Sequence, residues 1–318
     1  MNARLITTLL GVLYFCLVTV NASGRTWHIN PEGTADAPTV KAGLDSAAAG
    51  DTVLVGCGTY YEHDILMKAG VCLRGEPGFP PRAILDAQQQ HTLMMCYAAG
   101  NMATLIEGLT LTHAGAIAID ISGSGLTVRD CVFRDNPIQN YVVGVTFGSP
   151  TFYNCLFHNN FNEDHGSAPV ISVAYMFTQP VFSHCTIVDN SAGVSMNMDG
   201  GITIENSILA FCRDGYTFGD DEMPGPLILT CSNFFGNHAG GDAVIAAYGS
   251  ACFSADPQFC GIRGSRNFYL QSDSPCAPGN HPAENACGLI GALPLNCGKV
   301  DVEMKSWGTI KSLYTKDK

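Results

Sequence analysis

A nine-residue unit recurs along the chain and constrains the fold more than any other feature. Most copies begin with an apolar residue, carry a polar residue third and a small residue fourth, and end in asparagine. The copies are LIEGLTLTH (105–113), VRDCVFRDN (128–136), FYNCLFHNN (152–160), FSHCTIVDN (182–190), IENSILAFC (204–212) and LTCSNFFGN (229–237). They start 22 to 30 residues apart, and this period indicates a solenoid whose repeats share one core.

The pattern within each unit indicates strand rather than helix. Apolar residues mostly recur at every second position, and β-branched and aromatic side chains dominate. Two short strands flank a polar bend, so one coil of a parallel β-helix would take about 22–25 residues, and coils would stack at roughly 4.8 Å. The longest interval then holds one loop insertion, predicted at 160–169.

The fourth position of the unit predicts a ladder of small side chains. Glycine, serine and cysteine all occur there, so small size is the shared requirement and metal binding is not. Stacked parallel side chains also give poor disulfide geometry, so we predict reduced thiols. The predicted thiol ladder consists of Cys131, Cys155 and Cys185.

The closing position of the unit predicts a second ladder. Asparagine tolerates left-handed turns, and its amide can bond to the coils above and below, at roughly 0.5–1.5 kcal/mol net per bond. The residues of this ladder are Asn136, Asn160, Asn190 and Asn237.

The first 22 residues predict a secretory signal peptide. Arg4 precedes an apolar run from Leu5 to Val20, and cleavage is expected after Ala22. The alternative is a membrane anchor, because the run approaches spanning length. With cleavage, the mature chain has no predicted transmembrane span and is secreted, periplasmic or held in the cell envelope.

The charge balance limits the partners that this chain can have. The formal net charge is −12, which argues against nucleic acid and anionic lipid. Only 14% of residues are charged and 35 are glycine, a profile typical of a stiff β structure with many turns. The sequence leaves the oligomeric state open.

The segments that flank the repeats predict the domain boundaries. DAPTVKAGLDSAAAGD (36–51) predicts a capping helix, in which Pro38 suits the first turn and Gly50 ends the helix. SWGTIKSLYTK (306–316) could form a short amphipathic helix or a flexible docking peptide. The predicted divisions are a signal peptide (1–22), an N-terminal cap (23–50), a β-helix domain (51–297) and a C-terminal tail (298–318).

Cysteine usage is consistent with an oxidising compartment, where disulfides persist. Loss of Cys16 with the signal peptide would leave an odd number, so at least one thiol has no intramolecular partner. No CxxC motif occurs, so a structural zinc site is poorly supported. The candidate disulfides are Cys276–Cys287, Cys252–Cys260 and Cys57–Cys72, with connectivity left open.

Both ends of the repeat region resemble a known family. TWHINPEGTADAPTVKAGLDSAAAGDTVLVGCGTYYE, the coils, and FSADPQFCGIRGSRNFYLQSDSPCAPGN with CGLIGALPLNC resemble secreted bacterial proteins of the pectin-lyase-like superfamily. The resemblance covers about residues 26–297. It implies an all-β fold, a right-handed parallel β-helix with an N-terminal capping helix, together with export and often polysaccharide handling.

The same resemblance raises the question of catalysis. Lyases of this superfamily use Ca²⁺ held by carboxylates and a lysine or arginine base. The arginines along the coils lie in no matching motif, and no two are predicted to cluster; Arg129 and Arg134 are interpreted as solvated. These arginines are Arg74, Arg82, Arg129, Arg134 and Arg213.

Two loops carry further candidate ligands. Asp220, Asp221 and Glu222 could bind Ca²⁺, because hard cations prefer several oxygen ligands, although a solvated loop is the alternative. The aspartate pair resembles that of polygalacturonases, but the Gly-His-Gly and Arg-Ile-Lys segments of that family are absent. His165 could act as a base or metal ligand.

The sequence therefore predicts an exported solenoid without a recognisable catalytic set. Its expected role is a cell-surface or carbohydrate-binding protein, with a polysaccharide or envelope glycan as partner. The alternative is a polysaccharide lyase or glycosidase acting in a groove, with Ca²⁺ as the possible cofactor. The aromatic residues available for sugar stacking are Tyr141, Phe147, Tyr153 and Tyr175.

Overall fold

The computed structural model describes most of the chain between residues 24 and 297. The described ranges are 24–97, 103–123, 125–137, 140–161, 169–175, 177–213, 225–237, 249–261, 265–282 and 287–297. The predicted signal peptide and C-terminal tail lie outside these residues, as do Asp220, Asp221, Glu222 and His165.

Within these ranges the chain forms a short helix and a long series of short strands. The helix is α1 (Val40–Ser46). The strands are β1 (Thr26–Ile29), β2 (Thr52–Val55), β3 (Gly58–Tyr61), β4 (Ile65–Leu66), β5 (Cys72–Gly75), β6 (Ala83–Asp86), β7 (Met94–Tyr97), β8 (Thr104–Glu107), β9 (Leu109–Thr112), β10 (Ile119–Ser122), β11 (Leu126–Arg129), β12 (Val132–Arg134), β13 (Val143–Thr146), β14 (Thr151–Tyr153), β15 (Leu156–His158), β16 (Pro169–Ala174), β17 (Val181–Ser183), β18 (Thr186–Val188), β19 (Ala192–Asn197), β20 (Ile202–Glu205), β21 (Ile208–Ala210), β22 (Leu227–Thr230), β23 (Asn233–Phe235) and β24 (Gly249–Ser250).

The strands assemble into three parallel sheets that the chain visits in turn. Sheet A has the order β1-β2-β5-β8-β11-β14-β17-β20-β22-β24, sheet B β3-β6-β9-β12-β15-β18-β21-β23, and sheet C β4-β7-β10-β13-β16-β19. The chain is thus an all-β right-handed parallel β-helix of about seven turns, which confirms the predicted fold class. The nine-residue unit covers sheets A and B, and the less regular residues between units form sheet C.

The strand register matches the predicted repeat except in its first copy. Val128 pairs with Phe152, but on its other side it pairs with Ile106 and not with Leu105. The first unit is therefore 106–114, and the predicted boundaries were wrong by one residue. The small Gly108 suggested the fourth position, whereas it lies at the bend with a φ of 66°.

Stacked side chains fill the interior of the coil. The rings of Phe152 and Phe182 stack with centroids 4.5 Å apart, and those of Phe133 and Phe157 at 4.6 Å. All four side chains are fully buried. Burial of such a side chain contributes about 1.5–3 kcal/mol, so the phenylalanine stacks stabilise the central coils.

The asparagines form a hydrogen-bonded ladder inside the turns. Asn136 Nδ2 donates to Asn160 Oδ1 at 2.8 Å, and Asn160 Nδ2 donates to Asn190 Oδ1 at 2.9 Å. All three residues are fully buried. Further along, the Cys212 amide donates to Asn237 Oδ1 at 3.2 Å. Each side chain thus satisfies polar groups of two coils that water cannot reach.

The ladder thiols are buried and reduced. Cys131, Cys155 and Cys185 are all free. Cys131 Sγ lies 3.2 Å from the Arg129 carbonyl oxygen, and Cys155 Sγ lies 3.4 Å from that of Tyr153. Burial raises the pKa of the Cys131 thiol to about 12. These cysteines therefore pack as small side chains and are poor nucleophiles.

Helix α1 lies within the segment predicted as a cap and packs against β1, β2 and β4. Thr39 Oγ1 accepts a hydrogen bond from the Ala42 amide at 3.0 Å, and the Glu62 carboxylate accepts from the first two helical amides at 2.8 and 3.0 Å. The role of α1 as a cap stays a prediction. No helix of the described residues is long and apolar enough to cross a bilayer.

The described part of the C-terminal segment between residues 251 and 297, called the strap below, crosses the outer face of sheet B. Phe268 and Leu293 of the strap pack in one apolar cluster with Val132 and Leu156 of the sheet. Sheet B is consequently buried on both faces over its central strands.

Polar contacts fix the strap at two further points. Arg266 donates to both carboxylate oxygens of Asp135, at 3.0 and 2.8 Å. The Ala292 amide donates to Thr186 Oγ1 at 2.9 Å. These contacts join residues more than 100 positions apart in the sequence.

One disulfide joins the strap to the coils and a second lies within the strap, and together they correct the predicted pairings. They join Cys231 with Cys287 and Cys260 with Cys297. The predicted bonds Cys276–Cys287 and Cys252–Cys260 are therefore wrong. The prediction favoured disulfides that close short local loops. In the structure the strap folds back over the coils, so that Cys287 bonds to Cys231 of the coils and Cys260 bonds to the distant Cys297.

The predicted bond between Cys57 and Cys72 is also wrong, because both thiols are free. Cys72 pairs with Thr52 in sheet A, whereas Cys57 lies beyond the end of β2. Cys57 Sγ instead donates to Glu76 Oε2 at 3.2 Å.

Candidate functional site

The corner between sheets C and A differs from the other two corners of the coil. All three corners use residues with positive φ, a conformation that aspartate, asparagine and histidine tolerate and large apolar residues rarely adopt. At the C–A corner these residues are Phe147, Tyr175 and Met198, with φ of 57°, 74° and 52°. The corresponding residues elsewhere are mostly polar, with Cys231 and Phe211 as the exceptions: Asp130, Asn154, His184, Asn206 and Cys231 at the A–B corner, and His113, Asp135, Asn159, Asp189 and Phe211 at the B–C corner.

The aromatic residues of this corner are exposed. Phe147 and Tyr175 are 52% and 40% accessible, and the neighbouring Phe177 is 92% accessible. The Phe147 and Tyr175 rings stack at 4.7 Å with an interplanar angle of 17°. Gly123 occupies the equivalent position in the preceding coil, so no side chain of that residue covers the Phe147 ring.

Two tyrosines extend this surface over the outer face of sheet C. Tyr97 Oη donates to Asp120 Oδ2 at 2.9 Å. The Tyr141 ring covers Gly144, where an added Cβ would lie 2.2 Å from the ring, so the ring could not keep this position over a larger residue. We call Tyr97, Tyr141, Phe147, Tyr175 and Phe177 the aromatic face.

The electrostatic character of the aromatic face is nearly neutral. Burial and then the hydrogen bond to Asp120 raise the pKa of Tyr97 to about 12, and burial raises the pKa of Tyr141. Both phenols therefore stay protonated at neutral pH. Asp120 is the one charged residue in the described strands of sheet C. Flat apolar rings beside hydroxyl and carboxylate groups suit a ligand that is itself amphipathic.

A second site lies at the A–B corner and corrects the prediction that no two arginines cluster. Arg74 and Arg129 pair directly with Glu107 on neighbouring strands. Arg74 Nε lies 2.5 Å from Glu107 Oε2, and Arg129 Nη2 lies 2.6 Å from Glu107 Oε1. Arg129 is thus partly exposed to solvent, as interpreted from the sequence, but it also forms an ion pair that the sequence did not predict. Because the first unit was placed one residue too early, Glu107 was not aligned with Arg129. The row of Arg74, Glu107 and Arg129 on neighbouring strands was therefore not predicted.

The Arg74–Glu107–Arg129 cluster borders a cleft of about 640 Å³ under the end of the strap. Asp130 and Asn154 line the same cleft, and Asn154 Nδ2 donates to Asp130 Oδ1 at 2.5 Å. The two guanidinium groups share one carboxylate, so the cluster carries one net positive charge. Glu76 and Asp130 also line the cleft, so its carboxylates outnumber its arginines, and both arginines are already held in ion pairs.

The remaining candidate residues are dispersed. Arg134 pairs with Asp135 at 2.6 Å under the strap, and Arg213 lies 4.0 Å from the centroid of the Phe161 ring. Arg82 is exposed. Tyr153 is 45% accessible but belongs to sheet A, so it does not join the aromatic face.

Comparisons with known proteins agree with this architecture. A family model described as "Right handed beta helix region" matches residues 95–249. The structure is similar to that of pectate lyase Pel9A, with a TM-score of 0.57 and 20% identity over 68% of this chain and 64% of that one. The chain has the right-handed parallel β-helix fold. At this identity the similarity establishes the fold of this β-helix protein alone, and the chain spans less than two thirds of the length of Pel9A.

Two more solved structures match the β-helix protein less closely. One is a mannuronic acid specific polysaccharide family 6 lyase from human gut microbiota, with a TM-score of 0.46 and 15% identity over 66% of this chain and 54% of that one. The other is a rhamnogalacturonan lyase, with a TM-score of 0.43 and 16% identity over 68% of this chain and 69% of that one. The search of curated proteins found no match.

Proposed function

We propose that the protein is an exported β-helix that binds a polysaccharide through the aromatic face of sheet C. The observation that carries this proposal is the stacked, exposed pair Phe147–Tyr175 at a corner where bulky side chains are conformationally unfavourable. Residues held in such conformations typically cost about 1–3 kcal/mol each and cluster at functional sites. Sugar rings have apolar faces and hydroxyl edges, which match aromatic rings bordered by Tyr97, Asp120 and Tyr141.

The charge of the site supports a neutral glycan as the preferred ligand. A polyanionic chain would meet the Asp120 carboxylate and the net charge of −12 without a compensating cation in the described strands of sheet C. A neutral chain would instead use Asp120 as an acceptor for its hydroxyl groups. The two disulfides of the strap support the exported location, because such bonds persist in oxidising compartments.

Affinity electrophoresis of the mature protein, in gels that contain one neutral or uronic acid polysaccharide each, tests this proposal. We expect retardation by at least one neutral polymer and an affinity at least about fivefold weaker after the double substitution Phe147→Ala and Tyr175→Ala, since each aromatic contact contributes about 0.5–1.5 kcal/mol. Tyr61→Ala is the matched control, because Tyr61 is 64% accessible but lies on sheet B. Equal retention of the double variant and the wild type would contradict the proposal.

A polysaccharide lyase or glycosidase activity in the A–B cleft is the second candidate. It is favoured by the convergence of Arg74 and Arg129 on Glu107, together with the fold shared with pectate lyase Pel9A. It is disfavoured because neither guanidinium group is free to abstract a proton. Incubation of the same polymers with the protein, with Ca²⁺ or with a chelator, separates the two. Release of unsaturated uronates or new reducing ends, abolished by Arg129→Ala, would replace the binding proposal with the enzymatic one.

A further inference from the structure

His63, Asp64 and His91 converge on the outside of the first two coils. His63 Nδ1 lies 2.9 Å and His91 Nδ1 lies 3.4 Å from the same oxygen, Asp64 Oδ2. The two imidazole rings stack at 5.1 Å with an interplanar angle of 26°. One potential ligand atom from each of the three residues lies within 4.8 Å of the others. The site is distinct from the aromatic face and from the A–B cleft, and its residues line neither.

The fold holds these three side chains through the backbone ladder. The Asp64 amide donates to the Thr92 carbonyl at 2.8 Å, which sets the two segments side by side. Asp64 and His91 both have positive φ, of 51° and 41°, so the turns direct the side chains outward together. Gly115 allows the loop before His91 to approach, because an added Cβ would lie 2.3 Å from the Gln89 carbonyl oxygen.

We propose that His63, Asp64 and His91 form a binding site for one divalent late transition-metal ion, represented by Zn²⁺. Zinc binds imidazole nitrogen and carboxylate oxygen at about 2.0–2.2 Å. Two such donors lie about 2.9 Å apart at a right angle and about 3.4 Å apart at a tetrahedral angle. The observed Nδ1–Oδ2 distances of 2.9 and 3.4 Å therefore need little rearrangement to accept the ion.

The donor set also decides which ions bind. Imidazole suits Zn²⁺, Cu²⁺ and Ni²⁺, whereas Ca²⁺ and Mg²⁺ select oxygen ligands. Three protein donors leave a fourth position for water, so the ion is held in an open site. Bound metal joins the turn that follows β3 to the turn that follows β6, and so links the first two coils. The same turn contains Glu62, whose carboxylate caps α1.

Isothermal titration of the full mature chain tests the proposal, with protein purified without a histidine tag and stripped with a chelator. We expect one equivalent of Zn²⁺ to bind and Mg²⁺ at the same concentration to give no signal. His91→Ala and Asp64→Asn should each weaken this binding at least about tenfold. His91 is 67% accessible, so its truncation leaves the fold intact, which circular dichroism would verify.

His113→Ala is the matched control. His113 Nδ1 lies 3.1 Å from Asp86 Oδ2, and this pair has no second histidine within ligand distance among the described residues. The variant should keep the full equivalent of Zn²⁺. X-ray absorption of the loaded wild type should show imidazole scattering that His91→Ala reduces. Binding of Zn²⁺ that is unchanged in His91→Ala, or no binding to the wild type, would overturn the proposal.

Discussion

Sheets B and C come from the same coils, yet their outer faces have opposite character. Outward residues of sheet B, such as Val132, Leu156 and Val188, are apolar and almost fully buried under the strap. Outward residues of sheet C, such as Asp120 and Asn197, are polar and partly exposed. The inner faces of both sheets are equally apolar, so the difference reflects what covers each sheet from outside.

This difference between the two outer faces helps to interpret the exposed aromatic rings. On sheet B an outward apolar residue has a partner within the chain, as Leu156 has in the strap residue Leu293. At the edge of sheet C, Phe147 and Phe177 are more than half exposed. Exposed apolar groups gathered in one patch typically mark a binding surface. The comparison therefore supports an external partner for the aromatic face.

The sharpest way to break the comparison is to place a carboxylate on each outer face. Leu156→Asp would bury a charge beneath the strap, and we expect the free energy of unfolding to fall by about 5 kcal/mol or more. Ser172→Asp on the outer face of sheet C should change it by less than about 1 kcal/mol, because the new carboxylate reaches water. Urea denaturation of both variants measures this. Equal losses would show that the two faces do not differ as described.

Opening the disulfide within the strap should have the next largest effect. Cys260→Ser with Cys297→Ser opens a loop with a sequence separation of 37, and the chain-entropy model gives a loss of about 4 kcal/mol. Thermal denaturation without reductant would measure it. Cys252→Ser is the control, because Cys252 is free and should have a much smaller effect. If the double variant is as stable as the control, the loop that this disulfide closes contributes nothing to stability.

Acid should destabilise the covered face more than the open one. Burial lowers the pKa of His158 to about 4, and the nearby Asp135, Arg266 and Arg134 modify this shift. The unfolded chain binds a proton near pH 6.5, so the stabilisation is complete above that pH and is lost as pH falls towards 4. The loss amounts to about 3 kcal/mol.

The free energy of unfolding at pH 7.5 and at pH 4.5 would measure this dependence. His158→Gln should flatten the pH dependence, because glutamine does not titrate. An unchanged slope in His158→Gln would mean that another group is responsible.

Much of the fold could be predicted because each nine-residue copy of the repeat contains the residue types that the stacking of coils requires. Asparagine at the end of the unit and a small residue in its fourth position are both needed where coils stack, and both recur in the sequence. Sheet C was harder to predict from the sequence, because its residues differ from coil to coil according to their surroundings outside the coil. The disulfides could not be predicted, because Cys231 and Cys297 find their partners only through the path of the strap.

The candidate sites were predictable only in part, for a related reason. Phe147 and Tyr175 were recognised as available aromatics, but their stacking depends on the register of β13 and β16. Glu107 was misplaced by one residue, and a shift of one in a strand moves a side chain to the other face. The His63–Asp64–His91 group joins adjacent coils, and its spacing in the sequence follows no known metal motif.

The strap also changes the order in which parts of the molecule are expected to unfold. In a simple solenoid each coil contacts its neighbours alone, so the terminal coils can fray one after another. Here Arg266 and Ala292 connect the C-terminal end to Asp135 and Thr186 in the middle coils. The last coils cannot open without first breaking these long-range contacts. We expect the C-terminal half to unfold as one cooperative block, with amide hydrogens that exchange together.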